Sequence, residues 1–171
     1  MLGKALDFSM IALSAIGSGG AVWLSLGVVA VCLRRARAPG VWQMALALLV
    51  VWLLCIDIIK PAVHRLRPAP TAASLALTPE WPTSWSFPSG HAATSVAAAY
   101  ALGRVWPQAA IPLWALAGGI AFSRWYLGVH YPTDILGGAL LGLALAWFVV
   151  GRTRWSVRNV RGPRPPTPAD A

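Results

Sequence analysis

Residues 123–134, SRWYLGVHYPTD, place an arginine, a histidine and an aspartate where a long apolar segment ends. Ionisable groups within or beside a membrane are costly to keep and usually serve a function. His130 stands four residues before Asp134 and six after Arg124. An imidazole oriented by a carboxylate can act as a nucleophile, and a fixed cation beside it can neutralise the group under attack. Pro132 sets the geometry. Proline suits the first position of a helix and pushes its predecessor out of helical conformation. His130 is therefore expected on a loop, with Asp134 in the first turn of the following helix, close enough to reach a ring nitrogen. The helix dipole also favours a carboxylate there.

Two further clusters fit the same chemistry. Lys60-x6-Arg67-Pro68 puts two cations at the end of an apolar run and in the segment after it. Pro88-Ser89-Gly90-His91 opens another run, with Ser89 suited to an N-cap and Gly90 leaving room for a ligand near the backbone. The free N–H groups of such a helix start form an anion site. No Asp or Glu cluster could hold magnesium, and no Cys/His spacing suits zinc, so neither a metal nor another cofactor is expected. The expected ligand is a phosphate. Lys60, Arg67 and Arg124, with the Ser89 hydroxyl and the Gly90 N–H, would neutralise its oxygens. His130, held by Asp134, would attack phosphorus, and protonated His91 would donate to the leaving oxygen.

The elements that must position these groups are apolar helices. The chain has 171 residues, 57% hydrophobic and 11% charged, where a soluble domain carries roughly a quarter of its residues charged. Five runs, near residues 8–33, 41–59, 89–107, 109–122 and 133–150, approach the ~20 residues that cross a bilayer. The expected architecture is an all-α, polytopic membrane bundle of about five transmembrane helices. It forms one domain over residues 1–151, followed by a basic, Pro-rich, disordered cytoplasmic tail over 152–171. The glycines at 17, 19 and 20 interrupt the first run. One kinked span is expected there, the alternative being an interfacial helix over 4–16. Lys60-Pro61 should end the second helix, with Asp57 paired to Lys60 or an arginine. The proline-rich stretch 62–88 is read as a functional loop, in which His64 is solvated and Arg65 is a candidate for a second phosphate. Gly138 and Gly142, at GxxxG spacing, should pack within the bundle. Cys32 and Cys55 should not pair, and no cleavable signal peptide is evident.

The net charge of +9 raises nucleic acid as a partner, but the arginines gather at the ends of apolar runs and not on a polar face. No nucleic-acid partner is expected. Arg34, Arg35, Arg37, Arg104 and the tail arginines fall on one side of a five-span bundle, and Lys4, Lys60, Arg65, Arg67 and Arg124 on the other. The positive-inside rule makes the first side cytoplasmic. All three reactive clusters then lie on the extracytoplasmic face of the cytoplasmic membrane, beside an aromatic belt of Trp81, Trp85, Trp125, Tyr126 and Tyr131.

In this order the clusters resemble the type 2 phosphatidic acid phosphatase superfamily, whose motifs are K-x6-RP, PSGH and SR-x5-H-x3-D. All eleven fixed letters are present between residues 60 and 134. The resemblance implies a metal-independent integral membrane phosphatase with the bundle core shared by these phosphatases and haloperoxidases. It implies His130 as nucleophile, Asp134 as its partner, His91 as general acid, and Lys60, Arg67, Ser89, Gly90 and Arg124 as phosphate ligands. Many members have six spans, and five are visible here. The partners implied are membrane lipids and a lipid phosphate substrate. Polyprenyl diphosphate is the first choice, suited to a compact chain with a small headgroup loop, ahead of phosphatidylglycerol phosphate, phosphatidic acid and a phosphorylated polyprenyl sugar. A soluble vanadate-dependent haloperoxidase is opposed by the apolar runs. A lipid-phosphate carrier or flippase without catalysis is the alternative of a different class.

Overall fold

A computed structural model of the chain describes residues 2–78 and 80–151, so the tail expected over 152–171 lies outside the described residues. The described residues form helices and connecting turns, with no strand among them. Helices α1 (Leu2–Ile16) and α2 (Ala21–Cys32) are followed by α3 (Ala38–Val63). A short α4 (Ala72–Leu77) lies in the polar loop, and α5 (Gly90–Val105), α6 (Ala110–Tyr126) and α7 (Pro132–Val150) complete the bundle.

Helix α5 is the axis, with α3, α6 and α7 packed around it. Small residues make this possible: Ala92, Ala93, Ala97, Ala98, Ala99 and Ala101 are all fully buried. Where α7 crosses α5, a Cβ on Gly138 would collide with the Ser89 carbonyl, and one on Gly142 with the Ala93 carbonyl. The GxxxG pair thus packs inside the bundle, as expected, and brings the two helices that carry His91 and Asp134 to backbone contact. Ser89 N–H donates to the Asp134 carbonyl at 2.9 Å across the same junction.

The exterior is apolar. Trp42, Leu46, Leu49, Ile58, Ile111, Leu136, Leu140, Trp147 and Phe148 are among the exposed large side chains, an arrangement that only a lipid surround satisfies. By length and composition α3 and α7 can each cross a membrane, and α1 with α2, bent by 55° at Ser18–Gly20, make a third candidate. Helices α5 and α6, with 16 and 17 residues, are shorter than the ~20 of a free-standing span. Of the two, α5 is shielded along its length by its neighbours.

Several local expectations are corrected. Lys60-Pro61 does not end the second helix, which continues to Val63 through a widened, π-helical segment at Leu54–Ile59. Proline lacks the N–H that a regular turn would donate back, and a widened turn before it accommodates that loss. The chain leaves the helix only at His64, in left-handed conformation with φ 51°. Asp57 is exposed and makes no ion pair with Lys60, which is 4% exposed and turned into the bundle. The loop after α3 contains a short helix, started by Thr71, whose hydroxyl accepts from the Ser74 N–H at 3.1 Å.

Candidate active site

The three clusters meet at one end of the bundle. Helix α6 ends with Arg124 in its last turn, and α7 begins at Pro132, leaving His130 on the turn between them, 3% exposed. Asp134, fully buried in the first turn of α7, sets its Oδ2 3.5 Å from His130 Nδ1. The same oxygen accepts from the Tyr131 N–H at 3.0 Å and from the Ser86 hydroxyl at 2.5 Å. Ser86 Oγ also stands 3.4 Å from His130 Nδ1. On the opposite edge of the ring, Arg67 Nη1 lies 3.1 Å from His130 Nε2. A guanidinium only donates, so Nε2 presents a lone pair and the ring proton sits on Nδ1, facing Asp134 and Ser86.

Arg67 is anchored by donating to the Ser84 carbonyl and hydroxyl at 2.8 and 3.0 Å and to the Val129 carbonyl at 2.7 Å. Lys60 donates to the Trp85 carbonyl. Arg124 is 7% exposed and donates through Nη1 to the Ser14 hydroxyl. Among the described residues, Arg124 Nε and Ser89 Oγ are buried polar atoms with no hydrogen-bond partner. Ser89 occupies the N-cap position of α5, but its hydroxyl caps nothing, contrary to expectation. Unpaired polar groups of this kind are costly unless a ligand satisfies them. Gly90 opens α5, and a Cβ there would meet open space. His91 follows, with Nε2 3.3 Å from the Ser18 hydroxyl.

The electrostatics follow from this placement. Burial above all, then the cations Arg67, Arg124 and Lys60, and His91, push the His130 pKa from 6.5 down to about 2. Burial also lowers that of Arg67. Three cations thus surround an imidazole kept neutral, and Asp134, the carboxylate beside the ring, is already paired with Arg65 at 2.8 Å. Among the described residues no three His, Cys, Asp or Glu side chains gather as a metal site.

Several contacts differ from the sequence reading or had no counterpart in it. Arg65 does not stand free for a second phosphate: it donates to Asp134 Oδ1 and to Thr133 Oγ1 at 2.7 Å, with its guanidinium 4.3 Å from the centre of the Tyr131 ring. His64 packs edge-on against Trp85 at 4.8 Å. Ser86 comes from the loop and had no sequence signal. Asp7, Ser14 and Ser18 of the first helical pair also reach the site end of the bundle, Asp7 accepting from the Tyr126 hydroxyl at 2.7 Å. Asp7 and Ser14, seven residues apart, lie on one face of α1, a signal the sequence contains, whereas Ser18 is presented by the bent turn after it.

An all-helical bundle with a lipid-facing exterior and a cation-ringed histidine pair at one end defines an integral membrane phosphatase. The chain belongs to the PAP2 superfamily, whose family model matches residues 40–158. It is 37% identical over 141 residues to decaprenylphosphoryl-5-phosphoribose phosphatase of Mycobacterium tuberculosis, covering 80% of this chain and 76% of that protein. To undecaprenyl-diphosphatase of Sulfolobus acidocaldarius it is 29% identical, over 75% of this chain and 62% of the relative. The crystal structure of Aquifex aeolicus LpxE superposes with a TM-score of 0.71 at 28% identity, covering 86% of each chain. The protein is a PAP2-type lipid phosphatase.

Proposed function

We propose that the protein removes the terminal phosphate of a polyprenyl-linked sugar phosphate, without a metal, at the extracytoplasmic face of the cytoplasmic membrane. The observation that carries the chemistry is His130, held neutral between Asp134 and Ser86 on one edge and Arg67 on the other. As the phosphate arrives, Arg67 Nη1 turns from His130 Nε2 to a phosphate oxygen. Arg124 Nε, the Ser89 hydroxyl, Lys60 and the Gly90 N–H take the others. His130 Nε2 then forms a bond to phosphorus as the bond to the leaving oxygen breaks, and the leaving oxygen takes a proton from His91. His91, now neutral, accepts a proton from the water that displaces phosphate from His130. The resting enzyme is restored.

The choice of headgroup rests on the loop. A cavity of about 420 Å³ lies between Arg65–Pro70 and Trp81–Trp85, next to Arg67, and aromatic and proline walls suit a sugar ring. The relative acting on decaprenylphosphoryl-5-phosphoribose supports the same class. The linear diphosphate preferred on the sequence alone is the second reading, favoured by the undecaprenyl-diphosphatase likeness. It loses ground because Arg65, the candidate cation for a second phosphate, is engaged with Asp134. The extracytoplasmic orientation rests on the arginines: Gly40 abuts Val105, which puts Arg34, Arg35 and Arg37 at the same end as Arg104 and opposite the site. Residues 1–151 form the catalytic domain in this reading, and 152–171 a basic tail at the cytoplasmic surface.

The test is phosphate release by protein purified in detergent with EDTA present. The panel is a phosphorylated polyprenyl sugar, a polyprenyl diphosphate, phosphatidylglycerol phosphate and phosphatidic acid. The highest kcat/KM is expected on the first. Loss of activity in chelator, or a preference for phosphatidic acid, overturns the proposal.

A pH prediction arises from the same geometry. His130 loses nucleophilicity when protonated, so its acid limb lies wherever its pKa lies. With that pKa at about 2, the wild-type kcat/KM profile carries no limb from His130 between about pH 4 and 7. This moves the limb well below the ordinary imidazole range of about 6.5. Arg67→Gln removes a cation that holds the ring neutral while burial, the larger cause, remains, so the His130 pKa rises without regaining the free imidazole value. The ring's titration followed directly, by the pH dependence of its NMR signals in both proteins, separates this effect from the weaker phosphate binding that accompanies it. A His130 pKa that is no higher in the variant contradicts the assignment.

A further inference from the structure

The family match begins at residue 40, yet two side chains from before that point touch motif residues. Ser14 Oγ accepts from Arg124, and Ser18 Oγ lies 3.3 Å from His91 Nε2. A third bond, Asp7 to Tyr126 at 2.7 Å, ties the start of α1 to α6, two residues past Arg124. The turn that presents Ser18 depends on glycine: Gly19 and Gly20 have φ of 63° and 74°, and the helix bends there by 55°. A Cβ on Gly17 would collide with Ile120 and press on the His91 ring, 3.3 Å from its Cδ2. The turn is thus laid against the Cδ2–Nε2 edge of that ring.

One arrangement of donors and acceptors satisfies both contacts of the Ser18 hydroxyl. The Ser14 carbonyl can only accept, and the Ser18 hydroxyl donates to it at 3.2 Å. Ser18 Oγ then offers a lone pair to His91, so Nε2 is the protonated nitrogen of that contact. The chain from His91 Nε2–H through Ser18 to the Ser14 carbonyl stabilises the protonated Nε2 edge and stops ring rotation.

We propose that the last turns of α1 and the glycine-flanked turn after it form a positioning element of the active site, in which Ser18 of the turn orients the general acid His91 and Ser14 of α1 orients the phosphate-binding guanidinium of Arg124. This rests on the phosphatase reading above. Ser18 acts through His91 and Ser14 through Arg124, and neither touches substrate.

The two roles separate by leaving group. An alkyl phosphate needs a proton on its leaving oxygen, whereas 4-nitrophenyl phosphate departs with little help, so a displaced acid harms the first far more. Ser18→Ala is expected to lower kcat on the lipid phosphate by ~10-fold to ~100-fold, with a fall at least several-fold smaller on 4-nitrophenyl phosphate. Ser18→Thr, which keeps the hydroxyl, restores most of the difference. Ser14→Ala is expected to raise KM for both substrates, and to weaken orthovanadate binding, by about tenfold, with kcat less affected. Ser18→Gly, which suits a glycine-rich turn, provides a second hydroxyl-free variant should Ser18→Ala fail to fold. Equal losses on both substrates, or no loss on either, overturn the proposal. A wild-type protein that binds orthovanadate but releases no phosphate from either substrate instead counts against the phosphatase reading itself. In that case the Ser14→Ala effect on vanadate affinity still decides whether α1 positions Arg124.

Discussion

Replacing His130 by alanine removes phosphate release, with kcat falling by about 10⁴-fold or more, the scale seen when an enzyme loses a nucleophile. The size of the loss follows from the ring's surroundings. It is 3% exposed, its Nδ1 edge faces Asp134 and Ser86, and its Nε2 lone pair faces the cations. Neither serine near the phosphate ligands is equipped to take over. Ser86 is turned to Asp134, and Ser89 has no base among its hydrogen-bond partners. The intermediate supplies a second readout. Wild-type protein quenched in alkali after brief exposure to radiolabelled substrate should carry acid-labile phosphate on His130, and His130→Ala should carry none. Label retained by the variant, or activity within tenfold of wild type, rules out His130 as the nucleophile.

Asp134→Asn is expected to lower kcat by roughly 10³-fold to 10⁴-fold, as loss of the orienting carboxylate does in triad enzymes. The sign of the KM change is the sharper test. Removing a negative charge from a site that binds an anion cannot weaken phosphate attraction, so KM should stay level or fall while kcat collapses. An asparagine amide can also turn its NH2 towards Nδ1, favouring the wrong tautomer and spoiling the Nε2 nucleophile. The variant is less stable too, because Arg65 loses its charged partner at 2.8 Å, and Ser86 its 2.5 Å acceptor. Melting temperature measured alongside kcat separates the two effects. A variant that keeps kcat and raises KM would show that Asp134 serves substrate binding and not the nucleophile.

These predictions use residues of two origins. His130, Asp134, His91, Arg124, Lys60 and Arg67 were legible in the chain because short-range rules place them. Pro132 starts a helix, Asp134 falls in its first turn, and apolar runs must end where charges begin. The packing of Gly138 and Gly142 was legible for the same reason, since two glycines one turn apart leave a groove that only another backbone fills. Lys60 was expected at the end of its helix and beside Asp57, and it has a different neighbour. Its helix widens at Leu54–Ile59 and turns the side chain onto Trp85, away from Asp57.

What the sequence alone determined is the class of molecule and the residue types its motifs bring to the site. Hydropathy dictates a lipid-embedded bundle, and residue type at fixed spacing dictates which groups can attack, donate or grip a phosphate. What only the tertiary structure decided is which residues hold those groups in place. Ser86 touches Asp134 across 48 positions of chain, Arg65 across 69, Ser18 touches His91 across 73, and Ser14 touches Arg124 across 110. A hydroxyl or guanidinium carries no local mark of its distant partner. Its bond exists only because α5 and α7 meet at backbone contact and the glycine turn after α1 folds back onto them.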